Sequence, residues 1–495
     1  MNDTIKLGWA EVDITPKKGT KIGLAGQFFE RITDVVESPI TVTAFAVESG
    51  NEQMIICSCD LVGIGTNLKN AVKEKLNGKL PFSTEKIIIN CIHTHTSYVY
   101  KREGVNNVSS LEVLANMLPK GMEYKSLVNN DVGMSPDEAL EFLIEKISDA
   151  ILLAWENRKE GYYANAFGRA AVGMCRRVCY DDGSAKMWGD TNLANFTELE
   201  AGNDSGIELI YTFDKNKKLN GVIANIACPA QVVEHRSFIS SDYWGKVKEY
   251  LREKYGTEFN VLGLCSAAGD QCPRDLIRWV NPESYIDDPN IERNDYIERR
   301  ADPSMFDVSG LKLVGKRIAN EISFVYEEMP LELKNEGLLI HETINLVMPL
   351  RRVTIKEYNE SVDAINSFID KNKGKDINFA DYAKLHIYAG NIARYEMQQK
   401  TNVFTEEIHF IRFGDIAIAT NPFELFLDYG NQIRARSRAK QTIIIQLACG
   451  SDGYLPTEKA EKGSHYSAYV SSGIAGHEGG ELLVRTTVEH INKMF

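Results

Sequence analysis

The chain has 495 residues, 43% hydrophobic and 25% charged, the composition of an ordinary soluble globular protein with room for one large layered domain. Its net charge of −13, without a basic cluster, excludes nucleic acid and anionic membrane surfaces as natural partners. No apolar run reaches the roughly 20 residues of a membrane span, and Met1–Lys6 shows no basic-then-apolar leader. A cytoplasmic location is therefore expected. The nine cysteines, an odd number without a disulfide-like framework, are expected as reduced thiols.

In chain order, Leu7–Val12 alternates as a strand and stops at the turn Asp13-Ile14-Thr15-Pro16. Thr41–Val47 and Met54–Cys59 form a hairpin around Gly50-Asn51, with Asp60 just past its end. Leu68, Val72 and Leu76 have helical spacing over 66–77. Ile87–Ile92 is a β-rich run ending in His93-Thr94-His95; an extended H-x-H turns both imidazoles to one side. This strand–helix–strand order suggests an α/β unit, where ligands gather beyond the carboxyl ends of strands. Residues 100–135 are polar and suggest a long loop or lid. Ser135-Pro136-Asp137-Glu138 starts a helix to about Glu156.

Strands follow near 161–175, 207–213, 221–228 and 260–264, and helices near 243–255 and 310–327. Residues 274–308 form a second charged insertion. Next come a strand (337–348), helices (355–370, 378–398), a strand (408–419), a helix (423–437), a strand (442–448) and a terminal helix (478–493). The expected fold class is α/β, with mixed β-sheets flanked by helices. Residues 1–495 are expected as a single large domain, since no linker divides them.

Four further stretches carry chemistry. Cys228-Pro229 ends a strand and leads to Ser241-Asp242. Gly269-Asp270-Gln271-Cys272-Pro273 follows another; Arg274 and Arg278 are candidate cations to favour a Cys272 thiolate. Pro422-Phe423-Glu424 falls at a strand-to-helix junction, where a carboxylate would suit the helix dipole. Gly453-Tyr454-Leu455-Pro456-Thr457 follows the last strand, with His465-Tyr466 beyond.

The order of these motifs resembles the catalytic domain of the neutral (alkaline) ceramidases and their bacterial relatives. The marks are Asp13-Ile14-Thr15-Pro16, Ser58-Cys59-Asp60-Leu61, His93-Thr94-His95-Thr96 (family H-T-H-S-G-P), Ser241-Asp242, Gly269–Pro273 (family G-D-V-S-P-N), Pro422-Phe423-Glu424 (family P-G-E) and Gly453–Thr457, spanning residue 7 to the end. The resemblance implies one Zn²⁺ on His93, Cys228, Glu424 and Tyr454. It implies catalytic or substrate-contacting roles for Cys272, His95, Arg176 and Tyr466. Cys228 stands where the family has a histidine; thiolate is a good zinc ligand, and His235 is an alternative. Cys272 stands where the family has a serine, and could assist or attack. Asp60 is a candidate partner for an imidazole. The family's exported members carry a further immunoglobulin-like domain, which is not expected here.

The resemblance implies metal-dependent hydrolysis of an N-acyl (amide) bond; the expected cytoplasmic location, where bulk sphingolipid is rarely met, points to a small soluble amide as substrate rather than ceramide. Two alternatives remain: hydrolysis or elimination on a soluble polyol or sugar derivative in the same cleft, and a non-catalytic binding protein with a degenerate site. Oligomeric state is not legible.

Overall fold

The computed structural model describes residues 4–27, 29–102, 110–122, 133–277 and 307–495. Much of the two polar insertions, and Arg278, lie outside the described residues. Within the first insertion, Ser110–Met117 is helical where the sequence suggested only loop.

An eight-stranded mixed sheet carries the order Asn260–Cys265, Leu219–Ile226, Gly206–Asp214, Lys159–Arg169, Ile5–Asp13, Thr41–Ser49, Glu52–Cys59, Ile87–Cys91. Both edge pairs are parallel, and the pairs between them antiparallel. Leu7 and Lys6 are the only register points between Ile5–Asp13 and Lys159–Arg169, so the sheet is loosely joined there. Ser58 donates to the Gly263 carbonyl at 2.7 Å, a link between opposite ends of the strand order. The sheet therefore curls until its edge strands approach each other.

A second sheet, Leu339–Pro349, Val403–Phe413, Ile416–Thr420 and Gln441–Ile445, packs face to face on the first. Ile56, Ile88, Leu262, Ile411, Ile418 and Ile443 share that buried seam. Each such side chain contributes about 1.5–3 kcal/mol on leaving water. This covering on both sides explains why Ile87-Ile88-Ile89 is apolar without alternation. Helices Thr66–Leu76 and Pro136–Glu156 cover one outer face; Tyr243–Tyr255 and Asp307–Glu328 cover another part. Leu427–Arg436 and His477–Met494 back the second sheet. Pro136–Glu156 begins where its capping box predicts: the Ser135 hydroxyl accepts from the Glu138 amide.

Two sequence expectations change. The run at 408–419 is a hairpin turning at Gly414, whose φ of +59° favours glycine. The helix expected at 423–437 starts only at Leu427, and Glu424-Leu425 is a short strand paired in parallel with Tyr454-Leu455. Glu424 thus owes its position to Tyr454 rather than to a helix dipole. No described helix is long and apolar enough to cross a membrane.

Candidate functional site

The candidate residues gather where the carboxyl ends of strands from both sheets meet. His93 follows the edge strand Ile87–Cys91, Cys228 follows Leu219–Ile226, and Cys272 follows Asn260–Cys265. Glu424 follows Ile416–Thr420, and Tyr454 lies beyond Gln441–Ile445.

His93 has φ +64°, a left-handed conformation that costs a non-glycine residue roughly 1–2 kcal/mol. The conformation aims its ring. Nδ1–H donates to the Val62 carbonyl at 2.5 Å, leaving Nε2 facing inward. Nε2 lies 3.5 Å from Glu424 Oε2 and 3.3 Å from His95 Nε2. Burial disfavours the imidazolium, but the Glu424 carboxylate and Cys91 overcome this and raise the His93 pKa to about 10. Burial likewise works against the Glu424 charge, yet His93 and Arg176 hold its pKa below the ordinary carboxylate value.

Arg176, only 3% exposed, is the hub of the positive side. It donates to the Gly269 carbonyl at 2.9 Å, the Tyr454 hydroxyl at 3.4 Å and Gln231 Oε1 at 3.2 Å. Its guanidinium stands 3.8 Å from Glu424 Oε2. The Tyr454 and Tyr466 rings meet edge-on at 5.5 Å. Burial raises both phenols, Tyr466 to about 12, so each is a protonated donor at neutral pH.

His95 Nε2 is 2.8 Å from Gln231 Nε2, and its Nδ1 is 3.3 Å from Glu234 Oε2. Burial lowers the His95 pKa. Glu234 is lowered against its own burial by His95.

The cysteines behave differently from charged ligands. Burial pushes Cys272 up to about 12, against the pull of Arg176 and Arg274. Its thiol donates toward the Arg274 carbonyl at 3.5 Å. Such a thiol suits an assisting donor better than a thiolate nucleophile. The Cys228 thiol, raised by burial and by Cys272, points to the Pro229 carbonyl at 3.5 Å. Among the described residues, neither Cys228 nor His235 forms with His93 and Glu424 a group whose ligand atoms all lie within 4.8 Å. His235 is fully buried, and its desolvation lowers it to about 4.

Asp60 does not touch an imidazole. It accepts from the Thr41 amide at 2.8 Å and the Thr41 hydroxyl at 3.0 Å, with Lys248 at 3.9 Å. The backbone of Val62, two residues on, orients His93 instead.

The group around His93 fits a cation. Two atoms bound to one tetrahedral zinc, each about 2.0–2.1 Å from it, stand roughly 3.3–3.5 Å apart. The 3.5 Å between His93 Nε2 and Glu424 Oε2 has that span. Tyr454, hydrogen-bonded to Glu424, is the neighbouring oxygen donor.

A different trio, Glu407, His409 and Cys449, places all its ligand atoms within 4.8 Å. Lys69 and Lys73 already occupy both Glu407 oxygens, at 3.1 and 2.5 Å. Two ammonium groups there oppose a metal ion, and we read the trio as an ion-pair network.

Comparison with solved structures places this architecture. The structure of neutral ceramidase from Pseudomonas aeruginosa superimposes with a TM-score of 0.66 at 14% identity, over 100% of this chain and 75% of that one. This chain has a neutral-ceramidase-like fold. A second structure, a ceramidase complexed with C2, gives a TM-score of 0.66 at 13% identity, over 99% of this chain and 75% of the other. No protein-family model and no curated protein matches the sequence.

Gln231 and Glu234 escaped the sequence reading. Their signal was present: two polar side chains bracketing Val232-Val233 at the end of an apolar run from Gly221. A buried polar residue there needs a partner, and only the fold reveals it as His95.

Proposed function

We propose that this chain is a metal-dependent hydrolase of N-acyl amide bonds, acting on a small soluble substrate. The observation that carries the reading is the meeting of His93 Nε2, Glu424 and His95 Nε2, flanked by Arg176 and Tyr454, in a neutral-ceramidase-like fold. His93, Glu424 and Tyr454 would hold one Zn²⁺; Cys228, which the resemblance places fourth, would have to turn its thiol from the Pro229 carbonyl to join them. The bound ion supplies Lewis acidity to the scissile carbonyl and to water.

The chain's own residues do the rest. Arg176 and Tyr466 donate to the carbonyl oxygen as it gains charge; one such donor is worth roughly 3 kcal/mol. His95 receives a proton from the attacking water and returns one to the leaving amine. Cys272 assists as a thiol donor. Glu424 and Arg176 keep each other charged in a site largely closed to solvent.

The test pairs metal analysis of the purified chain with turnover of short N-acyl amines, against a panel of sugar derivatives. The reading expects bound zinc and amide hydrolysis, both lost in His93→Ala. A metal-free active protein, or turnover of the sugar panel alone, overturns it.

A further inference from the structure

At the end of the curled sheet opposite the candidate site lies an open cavity of about 880 Å³. Leu219–Ile226 and Asn260–Cys265 begin in its wall and lead to the candidate site at their other ends. Strands of eight and six residues, at about 3.3 Å per residue, put roughly 20 Å between the two places. The opening coincides with the gap in the sheet's pairing, where Ile5–Asp13 and Lys159–Arg169 share only two register points. The volume is that of a small-molecule pocket, and the mouth of a curled sheet is a common place for one.

We infer that this cavity is a second ligand site, for a monoanion on a flat apolar body, such as an aryl carboxylate. The floor supplies the apolar half. Leu7, Trp9, Phe213 and Phe259 line it and are buried, with Leu219 and Tyr255 half-buried beside them. Trp9 is held in place: its indole N–H donates to Thr212 Oγ1 at 3.1 Å, and the Thr212 hydroxyl donates on to Asn220 Oδ1 at 2.7 Å. The indole also lies against Gly221, where a Cβ would crowd it at 3.0 Å. A fixed aromatic floor suits a flat ring.

The rim supplies the charge. Lys215 and Lys218 come from the turn between Gly206–Asp214 and Leu219–Ile226, and Lys159 from the start of its strand. All three are exposed, and among the described residues none forms an ion pair. Lys217, in the same turn, stacks instead over the Tyr162 ring at 5.3 Å. Arg158 also lines the cavity, lying over the Trp155 ring. Its Nη1 is buried with no hydrogen-bond partner among the described residues, a donor the fold leaves unspent.

The carboxylates nearby set the charge the ligand must carry. Glu48 takes Lys6 at 3.2 Å and Arg158 Nε at 2.8 Å. Asp214 is spent inside its turn, accepting from the Asn216 and Lys218 amides at 2.8 and 2.9 Å. Glu160 and Glu258 stand unpaired on the rim. The five cations of the lining, Lys6 included, thus exceed these four carboxylates by one. In a chain of net charge −13 that is a local excess of positive charge, matched by one negative charge. A polyphosphate would meet the two free glutamates.

The test is calorimetric titration of the full chain with 2-naphthoate at low salt, with 2-naphthylmethanol as its neutral twin. The acid should fill one site saturably, at least about tenfold more tightly than the alcohol, and more weakly as salt rises. Lys215→Gln combined with Lys218→Gln, both exposed positions, should weaken binding about three- to tenfold. Lys217→Gln and Arg176→Met should titrate as wild type does. Absence of saturable binding, equal affinity for the alcohol, or an affinity unmoved by the double variant overturns the inference. So does loss of binding in Arg176→Met, which would place the acid in the catalytic cleft. None of these measurements involves turnover, so they stand apart from the test of the hydrolytic reading.

Discussion

Two buried clusters in this protein share a histidine, a glutamate and a cysteine, and only one is built to receive a ligand. In the first, Glu424 faces His93 Nε2 at 3.5 Å and the Arg176 guanidinium at 3.8 Å, with no lysine paired to it among the described residues. In the second, Glu407 takes Lys69, Lys73 and His409 Nε2 within 3.1 Å. His409 Nδ1 meets His341 Nε2 at 2.9 Å, and Cys449 Sγ lies 3.5 Å from His409 Nε2. The second cluster is internally paired, and its charges serve stability. The first brings a carboxylate, a ring nitrogen and the Tyr454 oxygen together at one point, where a bound metal ion would displace the His93 proton. Ligand types in proximity are therefore a poor guide; the counter-charges decide.

The comparison breaks most sharply with paired substitutions. His93→Ala should lower kcat/KM by at least roughly 10³-fold, the scale of several kcal/mol supplied by a catalytic metal, while His409→Ala should change it by less than about threefold. A steady-state assay of both variants decides this. If His409→Ala were the inactive one, the assignment of the two clusters would be reversed.

Arg176→Met should cost roughly 10²–10³-fold in kcat, the worth of one oxyanion donor. Its neighbour Arg177 faces the other way and is wholly buried. Arg177 pairs with Glu200 at 2.6 Å and donates to the Ser464 carbonyl at 2.8 Å. Arg177→Met should therefore act first on stability, by about 3–5 kcal/mol for a broken buried pair, read from denaturant midpoints.

Stability against pH tests the second cluster. Lys73, Lys69 and His409 outweigh the burial of Glu407 and hold its pKa far below the ordinary 4.5. Its contribution is complete above about pH 4.5 and drains as the pH falls below that, since the unfolded chain then binds the proton first. Glu407→Gln should lose roughly 3 kcal/mol at neutral pH and show a flatter acid limb than wild type. An unchanged acid limb would argue against the charged network.

The smallest effect is expected from Cys272→Ser, about 3–10-fold in kcat, because a hydroxyl still donates where the protonated thiol did. Complete inactivation, with trapping of a covalent thioester in wild type, would instead make Cys272 a nucleophile.

The fold was legible where one physical signal dominated. Ile87–Cys91, Thr41–Ser49 and the capped helix Pro136–Glu156 follow from apolar runs and a capping box. The hairpin at Gly414 was not, because its turn interrupts the apolar run by only Gly414-Asp415, and the pairing of Glu424 with Tyr454 was not, because two-residue strands exist only through their distant partners. His93, Glu424, Tyr454 and Arg176 could be nominated from motif order, and the structure brings them together. Val62 and Arg31 could not: they act through backbone carbonyls, which leave no local pattern in the chain, while Gln231 and Glu234 left a polar bracket that did not name its partner.

Metal content of three purified proteins tests the central claim most directly. The account predicts about one equivalent of zinc, bound tightly enough to survive purification, in wild type and in His409→Ala, and none in His93→Ala. Zinc retained in His93→Ala and lost in His409→Ala would contradict it.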